Sequence, residues 1–428
     1  MTRSFLVLPP AREVRGTVRV PPSKSATNRA LLLAACSPEP ILLAGPLESD
    51  DTRALARCLA AMGARIQETS GGLSVHGPLA GSPTGETLLD AGDSGTAARF
   101  LAATAAAVPG RFRLDGSKAL RRRPMAELIE ALGASGADVR CVGAQGFLPL
   151  EIRGGGLRSG EITVDARRSS QFVSALLIAA VFVEGGLAVR PAGELASAPY
   201  VDETLDALEA FGHRVGRETG VFRSARGEAS PRSYSVPGDF SSAVPLLCAA
   251  GVAGGEVALE GLPWPSRAPD AGALGVLRQM GLDLRFEAGR VIARGRPEAL
   301  APAAVRASRF PDSVPALVAL AARAPGESRF EGIAHLRWKE SDRIGALAAL
   351  LGRAGVECDA GEDSLTIRGG RESRPRESVP LPTFRDHRIA MAAALLSLAR
   401  GGLMIEDPDC VAKSYPAFFR DLESLVRR

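Results

Sequence analysis

The segment RWKESDRI, residues 337–344, gathers charged side chains whose chemistry suits proton transfer. Lys339 and Glu340 are adjacent, and Arg343 follows three positions after the glutamate. A carboxyl group and an amine can act as acid and base, and a guanidinium binds carboxylate or phosphate through paired hydrogen bonds. The 52 basic residues include only four lysines, namely Lys24, Lys118, Lys339 and Lys413. Because lysine gives up its proton more readily than arginine, a lysine kept beside a glutamate favours a chemical role for this segment.

Further carboxylates stand at or near the start of apolar runs. They are Asp93 in AGDSGT, Asp239 in PGDFSS, Asp312 in FPDSVP and Asp386 in RDHR. Two facing carboxylates, or a carboxylate and a lysine, can serve as general acid and base. The alternative is helix capping for the aspartates and a surface ion pair for Glu340. Capping accounts well for Asp93 and Asp239, whereas the KESDR turn carries charge on every face, which makes a surface pair a poorer account of Glu340.

The elements that would position these residues recur with a regular spacing. Six stretches consist of a small polar cluster and an Ala- and Leu-rich run, beginning near residues 23, 93, 169, 240, 310 and 384, with corresponding positions 69 to 76 residues apart. Each run predicts a fully buried helix with the polar cluster at its N-terminus. Free N–H groups and the positive end of the helix dipole make such a terminus a natural anion site. For any single copy, ordinary N-capping remains the alternative.

A second type of helix alternates with the first. Five segments with amphipathic spacing each meet a glycine, which predicts the end of a helix. They are ALARCLAAMGARI, MAELIEALGASGADV, ETLDALEAFGHRV, ALGVLRQMGLDL and IGALAALLGRAGVEC, and PAFFRDLESLV begins a sixth copy. Short alternating segments such as GTVRV, LSVHG, EITVD and VALEG predict strands. Six such units indicate an α/β fold in two halves of three, with a break near residues 234–239.

Composition places the chain among water-soluble globular proteins. It has 428 residues, 46% of them hydrophobic, and a formal net charge of +4, which predicts two or three domains. The apolar stretches are too short to span a bilayer and the N-terminal segment lacks a signal-like apolar core, so we expect a cytoplasmic protein. The six scattered cysteines match no zinc or disulfide pattern. A pI near 8.9 fits acidic substrates as well as nucleic acid, but aromatic residues make up only 5%.

Nine segments together resemble, in order and spacing, the motifs of the 5-enolpyruvylshikimate-3-phosphate synthase family. They are PPSKSATNRALLLAA, GDSGTAAR, RRRPM, SSQFVSALL, SAPYVDETL, PDSVPAL, KESDRI, DHRIAM and AKSYP. The resemblance runs from residue 8 to the C-terminus. It implies two similar lobes, each of three repeated βαβαββ units with buried parallel helices. It also implies transfer of the enolpyruvyl group of phosphoenolpyruvate to the 5-hydroxyl of shikimate 3-phosphate, with release of phosphate and without a metal or organic cofactor.

The resemblance implies a role for each matching residue. The shikimate 3-phosphate contacts would be Lys24, Ser25, Arg29, Ser169, Ser170, Gln171, Ser197, Tyr200, Asp312 and Lys339. The phosphoenolpyruvate contacts would be Lys24, Gly95, Arg123, Gln171, Arg343, Arg388 and Lys413. Asp312 would be the base toward the 5-hydroxyl, and Glu340 or Lys24 the proton donor. At Asp93 and His335 the chain departs from the asparagine that is common in the family. The added charge of Asp93 is unfavourable near an anion unless its side chain turns away or pairs with an arginine.

The same resemblance gives the expected organisation. Residues 1–22 with 238–428 would form one discontinuous lobe and residues 23–237 the other, with the active site in the cleft between them. We expect a monomer that binds small molecules and neither nucleic acid nor membrane.

Two other functions stay open. The enolpyruvyl transferase that acts on a UDP-sugar typically has a Lys-Asn pair near the first lysine and a reactive cysteine on a loop. This chain has Lys24-Ser25 and no cysteine in the RRRPM region. An RNA-processing protein of related fold is a second alternative. An inactive homologue is disfavoured because all the acid–base candidates are present.

Overall fold

The computed structural model describes residues 4–9, 11–82, 84–227, 231–370 and 379–427. Its α-helices are α1 Lys24–Ala34, α2 Asp50–Ala61, α3 Gly95–Ala107, α4 Ala126–Ala134, α5 Gln171–Ala179, α6 Pro199–Ala210, α7 Phe240–Ala253, α8 Ala273–Gln279, α9 Val314–Ala321, α10 Arg343–Arg353, α11 His387–Arg400 and α12 Phe418–Leu425. Short 3-10 helices lie at Leu120–Arg122, Ala180–Phe182, Pro269–Gly272, Pro297–Ala299, Ala334–Trp338 and Pro408–Lys413.

The strands of the first half of the chain are β1 Phe5–Val7, β2 Glu13–Arg19, β3 Ile41–Ala44, β4 Arg65–Thr69, β5 Gly72–His76, β6 Glu86–Asp90, β7 Gly110–Asp115, β8 Asp138–Cys141, β9 Leu150–Gly154, β10 Gly160–Asp165, β11 Leu187–Ala192 and β12 Arg214–Glu218. Those of the second half are β13 Val221–Ala225, β14 Ser233–Ser235, β15 Gly255–Glu260, β16 Asp283–Glu287, β17 Arg290–Gly295, β18 Ala304–Arg306, β19 Gly326–Glu331, β20 Glu357–Ala360, β21 Ser364–Gly369, β22 Val379–Leu381, β23 Leu403–Glu406 and β24 Val426–Arg427.

The chain forms two compact units. Unit 1 takes the chain up to Pro21 and again from Pro237 onward, and unit 2 is the continuous segment Pro22–Val236. Each unit has its own core of buried apolar side chains. Within the described ranges, none of the helices combines the length and the apolar character needed to cross a bilayer.

Unit 2 contains three four-stranded sheets with one topology. In the sheet β6-β7-β9-β8, β6 runs parallel to β7, while β9 is antiparallel to both β7 and β8. Helix α3 connects β6 to β7 and α4 connects β7 to β8, so the repeat reads βαβαββ. The sheet β10-β11-β13-β12 repeats this order with α5 and α6. In the third sheet, β14-β3-β5-β4, the first strand comes from the end of the unit instead of its beginning.

Unit 1 follows the same plan, with strands β1 and β2 supplied from the start of the chain. The sheet β18-β19-β21-β20 has the full βαβαββ connection. In β16-β17-β15-β2-β24, strand β2 lies parallel to β15, and β24 adds an edge. In the small sheet β1-β23-β22, strands β22 and β23 are parallel and β1 is antiparallel to β23. The sixfold repeat and the α/β class expected from the sequence are confirmed.

The first helix of each repeat is buried nearly all round. Every residue of α7 is buried, and α3 is buried at all but two of its residues. In unit 1, α7, α9 and α11 pack against one another, and in unit 2 α3 packs against α5. Side chains cap four of these six helices among the described residues, the acceptors being Ser23, Ser94, Asp239 and Asp386. Helix capping, the alternative to an anion site, therefore accounts for most of these polar clusters. It does not account for the lysine and arginine side chains that lie near the same helix starts.

The second helix of each repeat ends as its glycine predicts. The glycines after α2, α4, α6, α8 and α10 all have positive φ, at Gly63, Gly136, Gly212, Gly281 and Gly355. After each of them the next N–H bonds back to the carbonyl five residues earlier, for example Ala64 to Leu59 and Val356 to Leu351. This is the Schellman arrangement, which requires a left-handed residue that glycine adopts without strain.

Candidate active site

Arg343 holds three carboxylates in unit 1. Its Nη1 donates to Asp312 Oδ1 at 2.8 Å, its Nη2 to Glu340 Oε2 at 3.0 Å, and its Nε to Asp386 Oδ2 at 2.9 Å. The arginine side chain is 1% exposed and that of Asp386 is 0% exposed. Burial alone would lower the pKa of Arg343, but Asp386, Glu340 and Asp312 raise it well above its ordinary value. The guanidinium is therefore permanently charged and fixes the two predicted acid–base residues relative to each other.

The surrounding elements explain how these groups meet. Arg343 is the first residue of α10, and Asp386 caps α11, where its side chain accepts from the backbone N–H of Arg388 at 2.9 Å. Asp312 lies just before α9. The N-termini of α9, α10 and α11 thus bring their polar residues to one place in unit 1, as the repeat made possible.

Arg388 adds a second buried cation to this cluster. Its Nη1 donates to the carbonyl of Ser241 at 2.7 Å and its Nη2 to the hydroxyl of the same serine. Asp312 Oδ2 lies 3.6 Å from Nη2. Burial opposes the charge of Arg388, but Asp312 and then Asp239 raise its pKa above the ordinary value. Asp312 is therefore bracketed by two arginines.

Lys413 and Lys339 lie near Glu340. Lys413 ends the 3-10 helix Pro408–Lys413, and its Nζ is 3.9 Å from Glu340 Oε1. Lys339 follows the 3-10 helix Ala334–Trp338. Asp342 caps α10 by accepting from the N–H of Gly345 at 3.2 Å. The KESDR turn is thus a helix start that faces Glu340 inward, and the surface ion pair considered for Glu340 is wrong because its arginine partner is buried.

His335 is a buried polar residue of this cluster whose role the sequence left open. It lies in the 3-10 helix before Lys339, it is 5% exposed, and its Nε2 has no hydrogen-bond partner among the described residues. Burial and then the charge of Lys339 lower its pKa to about 3. The imidazole is therefore neutral at physiological pH.

In unit 2, Lys24 pairs with a carboxylate. It is the first residue of α1, and its Nζ lies 3.1 Å from Oδ2 of Asp51, in α2. The side chains are 12% and 3% exposed. Ser25 follows in the same first turn. An adjacent anion favours the charged ammonium.

Arg29 ties α1 to α6. Its Nε donates to Thr204 Oγ1 at 2.8 Å, its Nη2 to the carbonyl of Tyr200 at 2.8 Å and its Nη1 to the carbonyl of Ser25 at 3.1 Å. Glu203 forms an ion pair with it at 3.0 Å. The bonds hold the predicted ligands Ser25 and Tyr200 together, so Arg29 orders this part of the site through protein contacts.

Arg123 lies directly over the N-terminus of α3. A Cβ atom built on Gly95 would stand 2.5 Å from the Cζ of Arg123. The guanidinium of Arg123 can approach the backbone this closely only because residue 95 is glycine. A guanidinium and the positive end of a helix dipole attract an anion at the same point, which favours phosphate or carboxylate binding there.

Gln171 begins α5 beside these groups. Its Nε2 donates to Thr96 Oγ1 at 2.9 Å, and its backbone N–H donates to Ser169 Oγ at 3.2 Å. Ser170 is buried at the start of the same helix. Ser197 is buried with a φ of 53°, a left-handed conformation that is strained for serine and common at functional sites.

The structure adds residues that sequence reasoning missed and corrects one expectation. Sequence reasoning does not single out Asp51, and it names Asp386 as a candidate carboxylate or helix cap but not as a partner of Arg343. Asp270 was also missed: it is buried and accepts from the N–H of Ser313 at 2.9 Å, beside Asp312. Their only sequence signal is an acidic residue near a polar cluster. The expectation that Asp93 caps α3 is wrong, since Ser94 accepts from Ala97 instead, and Asp93 accepts a hydrogen bond from Ser117.

Comparison with known proteins identifies the same family as the sequence motifs. The family model for EPSP synthase (3-phosphoshikimate 1-carboxyvinyltransferase) matches residues 8–422. The protein named 3-phosphoshikimate 1-carboxyvinyltransferase from Syntrophobacter fumaroxidans is 40% identical over 97% of this chain and 98% of its own length. The protein of the same name from Thermococcus kodakarensis is 40% identical over 98% of this chain and 100% of its own.

Solved structures agree on the fold. EPSP synthase from Acinetobacter baumannii superposes with a TM-score of 0.79 at 28% identity, covering 99% of this chain and 98% of its own. The enolpyruvyl transferase NikO from Streptomyces tendae reaches a TM-score of 0.77 at 18% identity, over 99% of this chain and 97% of its own, and shows the fold alone. The expected enolpyruvyl transferase fold is confirmed, and by the extent of the sequence match the chain is a transferase that belongs to the EPSP synthase family.

Proposed function

We propose that this protein transfers the enolpyruvyl group of phosphoenolpyruvate to the 5-hydroxyl of shikimate 3-phosphate and releases phosphate, a step of chorismate and hence aromatic amino acid biosynthesis. The observation that carries the proposal is the arrangement of Asp312 and Glu340 on opposite nitrogens of one buried guanidinium, Arg343. An acid and a base fixed in this way suit a reaction that protonates one substrate and deprotonates the other. Family membership supports the choice of substrates.

The charges suit two anionic substrates. Together the substrates bring two phosphates and two carboxylates, whose repulsion must be offset by cations. Unit 1 would supply Arg343, Arg388 and Lys413, and unit 2 would supply Lys24 and Arg123. The helix N-termini at Gly95 and Ser170 would add partial positive charge and, with the hydroxyls of Ser25 and Ser169, complete the phosphate shells. Because each unit carries only part of this set, we propose that one active site draws on both.

The proton transfers are assigned as follows. Glu340 gives a proton to the methylene carbon of phosphoenolpyruvate, and Asp312 takes the proton of the 5-hydroxyl, which attacks the neighbouring carbon. The tetrahedral adduct then gives a proton of its new methyl group back to Glu340 and loses phosphate, which leaves with the proton held by Asp312, so that the enolpyruvyl double bond forms again. Without substrate, Arg343 and Lys413 favour the ionised form of Glu340. Anionic substrate groups that bind these two cations would weaken that preference, so that Glu340 takes up a proton from solvent and acts as the acid only when phosphoenolpyruvate is bound.

Lys24 is the alternative donor, and its neighbourhood weighs against that role. The carboxylate of Asp51 lies 3.1 Å from its Nζ and favours the charged ammonium. We therefore assign Lys24 chiefly to binding both substrates as a fixed positive charge. Ser197, Tyr200 and Lys339 complete the proposed shikimate 3-phosphate contacts. The protein would act as a cytoplasmic monomer, without nucleic acid or membrane partners.

The decisive experiment measures phosphate release from phosphoenolpyruvate with and without shikimate 3-phosphate, for the wild type and Glu340→Gln. Release should depend on the acceptor, and the substitution should lower kcat by about 10²- to 10⁴-fold because the acid is lost. The matched control is Glu331→Gln, which removes an exposed carboxylate paired with Arg329 and should leave the rate unchanged.

Other results would change the assignment. Release that requires a UDP-sugar in place of shikimate 3-phosphate would leave the fold assignment unchanged and identify the UDP-sugar as the acceptor substrate. An unchanged rate in Glu340→Gln would remove this residue as the acid. No release with either acceptor would contradict the proposed reaction.

A further inference from the structure

We infer that Arg99 is a positioning residue that sets the orientation of the Gln171 amide and so makes that side chain a hydrogen-bond donor to the anionic substrates. The inference rests on the proposed function. Arg99 lies in α3, one turn after Thr96, and is 3% exposed. It acts through Gln171, to which its guanidinium donates.

The geometry fixes which amide atom faces Arg99. Its Nη1 is 2.6 Å from Gln171 Oε1. A guanidinium has only donors, so the atom that it contacts must be the amide oxygen. The amide nitrogen points away from Arg99 and gives one hydrogen to Thr96 Oγ1 at 2.9 Å. The second hydrogen of the amide is then the one available to a ligand.

This orientation decides the sign of the interaction with an anion. An amide N–H stabilises a phosphate or carboxylate oxygen, whereas the same amide turned over would present its carbonyl oxygen and repel it. Threonine alone does not select the orientation, because a hydroxyl both donates and accepts. Arg99 is therefore the group that makes the wrong orientation costly.

A second bond links Arg99 to the segment that carries Arg123. Its Nη2 donates to the carbonyl of Pro124 at 3.2 Å, and its guanidinium lies 5.3 Å from the ring centre of Phe172. One buried side chain thus joins α3, the start of α5 and the residue after Arg123. The proposed phosphoenolpyruvate ligands Gly95, Arg123 and Gln171 are held in register by this side chain.

The test is a double-mutant cycle of Arg99→Met and Gln171→Ala in the full chain, with kcat and both KM values measured by phosphate release. Arg99→Met should raise the KM for phosphoenolpyruvate by about 10- to 100-fold, in the range that misplacement of a ligand costs. If Arg99 acts through Gln171, the double variant should be little worse than Gln171→Ala alone. Arg278→Met is the matched control, since Arg278 also stacks on a phenylalanine, at 5.1 Å from the Phe286 ring, but lies outside the proposed site.

An unchanged KM in Arg99→Met, or effects of the two substitutions that multiply, would overturn the inference. If Arg99→Met does not fold, as judged by circular dichroism and melting, Arg99→Lys takes its place in the cycle, because an ammonium keeps the charge but not the fork that reaches both Gln171 and Pro124.

A neutron crystal structure of the Arg99 variant, which distinguishes the amide nitrogen from the oxygen, gives a readout that does not need activity. The Gln171 amide should be turned over or adopt both orientations, and an amide whose nitrogen still faces Thr96 as in the wild type would contradict the inference. A wild type without acceptor-dependent phosphate release would refute the proposed reaction, while an active wild type with an unperturbed Arg99 variant would refute only the positioning role.

Discussion

Asp386 shows how one side chain serves both structure and chemistry. Its oxygens cap α11 and accept from Ser341 Oγ at 3.1 Å as well as from Arg343. An aspartate that is fully buried is tolerated because every bond it accepts compensates for its lost hydration. Its loss would leave Arg343 with a buried charge and one fewer carboxylate.

We therefore expect Asp386→Ala to lower the free energy of unfolding by about 3–5 kcal/mol, as is typical when one partner of a buried ion pair is removed. Urea unfolding followed by circular dichroism measures this. Asp359→Ala is the comparison, since Asp359 pairs with Arg368 on the surface and its loss should cost under about 1 kcal/mol. Equal effects of the two substitutions would contradict the structural role given to Asp386.

The contact between Gly95 and Arg123 gives a second prediction at the residue scale. In Gly95→Ala the new methyl group would meet the guanidinium of Arg123, which must then move. We expect the KM for phosphoenolpyruvate to rise by about tenfold or more, with the KM for shikimate 3-phosphate changed less. The control is Gly85→Ala, whose added atom has no neighbour within 4 Å. Equal KM values for Gly95→Ala and wild type would show that Arg123 can move without weakening phosphoenolpyruvate binding, which would contradict the prediction.

At this scale the sequence identifies the type of residue but not its partner. Asp312 and Glu340 are recognisable beside polar clusters, and the family motifs assign them roles. Their shared bond to Arg343 depends on the packing of α9 against α10, since Asp312 is 31 residues away in the chain. Asp51 and Arg99 were missed for the same reason, because their partners come from other helices.

Elements were predicted better than contacts because their signals are local. The polar cluster before an apolar run marks where each buried helix starts, and the glycine after an amphipathic run marks where each outer helix ends. Asp93 was misjudged because aspartate and serine are both good caps and stand side by side before α3. Only the bond from Ala97 to Ser94 decides between them.

The glycine stops give a prediction at the element scale. Gly63 has a φ of 97°, and an added Cβ would lie 3.3 Å from the carbonyl oxygen of Pro78. Gly63→Ala should lower the free energy of unfolding by about 1–2 kcal/mol, the cost of a left-handed conformation for a residue with a Cβ. Gly133→Ala, inside α4 and in open space, should instead raise it by up to about 1 kcal/mol through helix propensity. The same sign for both in urea unfolding would contradict this account of the helix ends.

At the scale of the whole molecule, each unit holds a histidine that is kept neutral. Burial and then Lys339 lower the pKa of His335 to about 3 in unit 1, and burial and then Arg226 lower that of His213 to about 4 in unit 2. In the unfolded chain both would bind a proton near the ordinary histidine pKa. Between these values the unfolded state binds more protons, so acid favours unfolding.

Stability should therefore fall as the pH is lowered from 6.5 toward 3. For His335 the loss between pH 6.5 and pH 5 is about 2 kcal/mol. The urea midpoint of the wild type measured at several pH values should decline over this range, and that of His335→Gln should decline less. A decline of the same size in the variant would show that other groups cause the acid sensitivity. His213→Gln, in the other unit, provides an independent comparison.

Unit 1 is built from two separate segments of the chain, and this determines the order in which the two units can fold during synthesis. Strands β1 and β2 leave the ribosome before unit 2, but their partners β23 and β15 belong to segments made after all of unit 2. Unit 2 has every strand of its three sheets within Pro22–Val236 and can fold while translation continues. Until β15 emerges, the apolar side chains of Val14 and Val18 have no core to join. The nascent chain therefore carries β2 without its partner while unit 2 is already able to fold, and we expect aggregation to compete with folding most strongly in this interval.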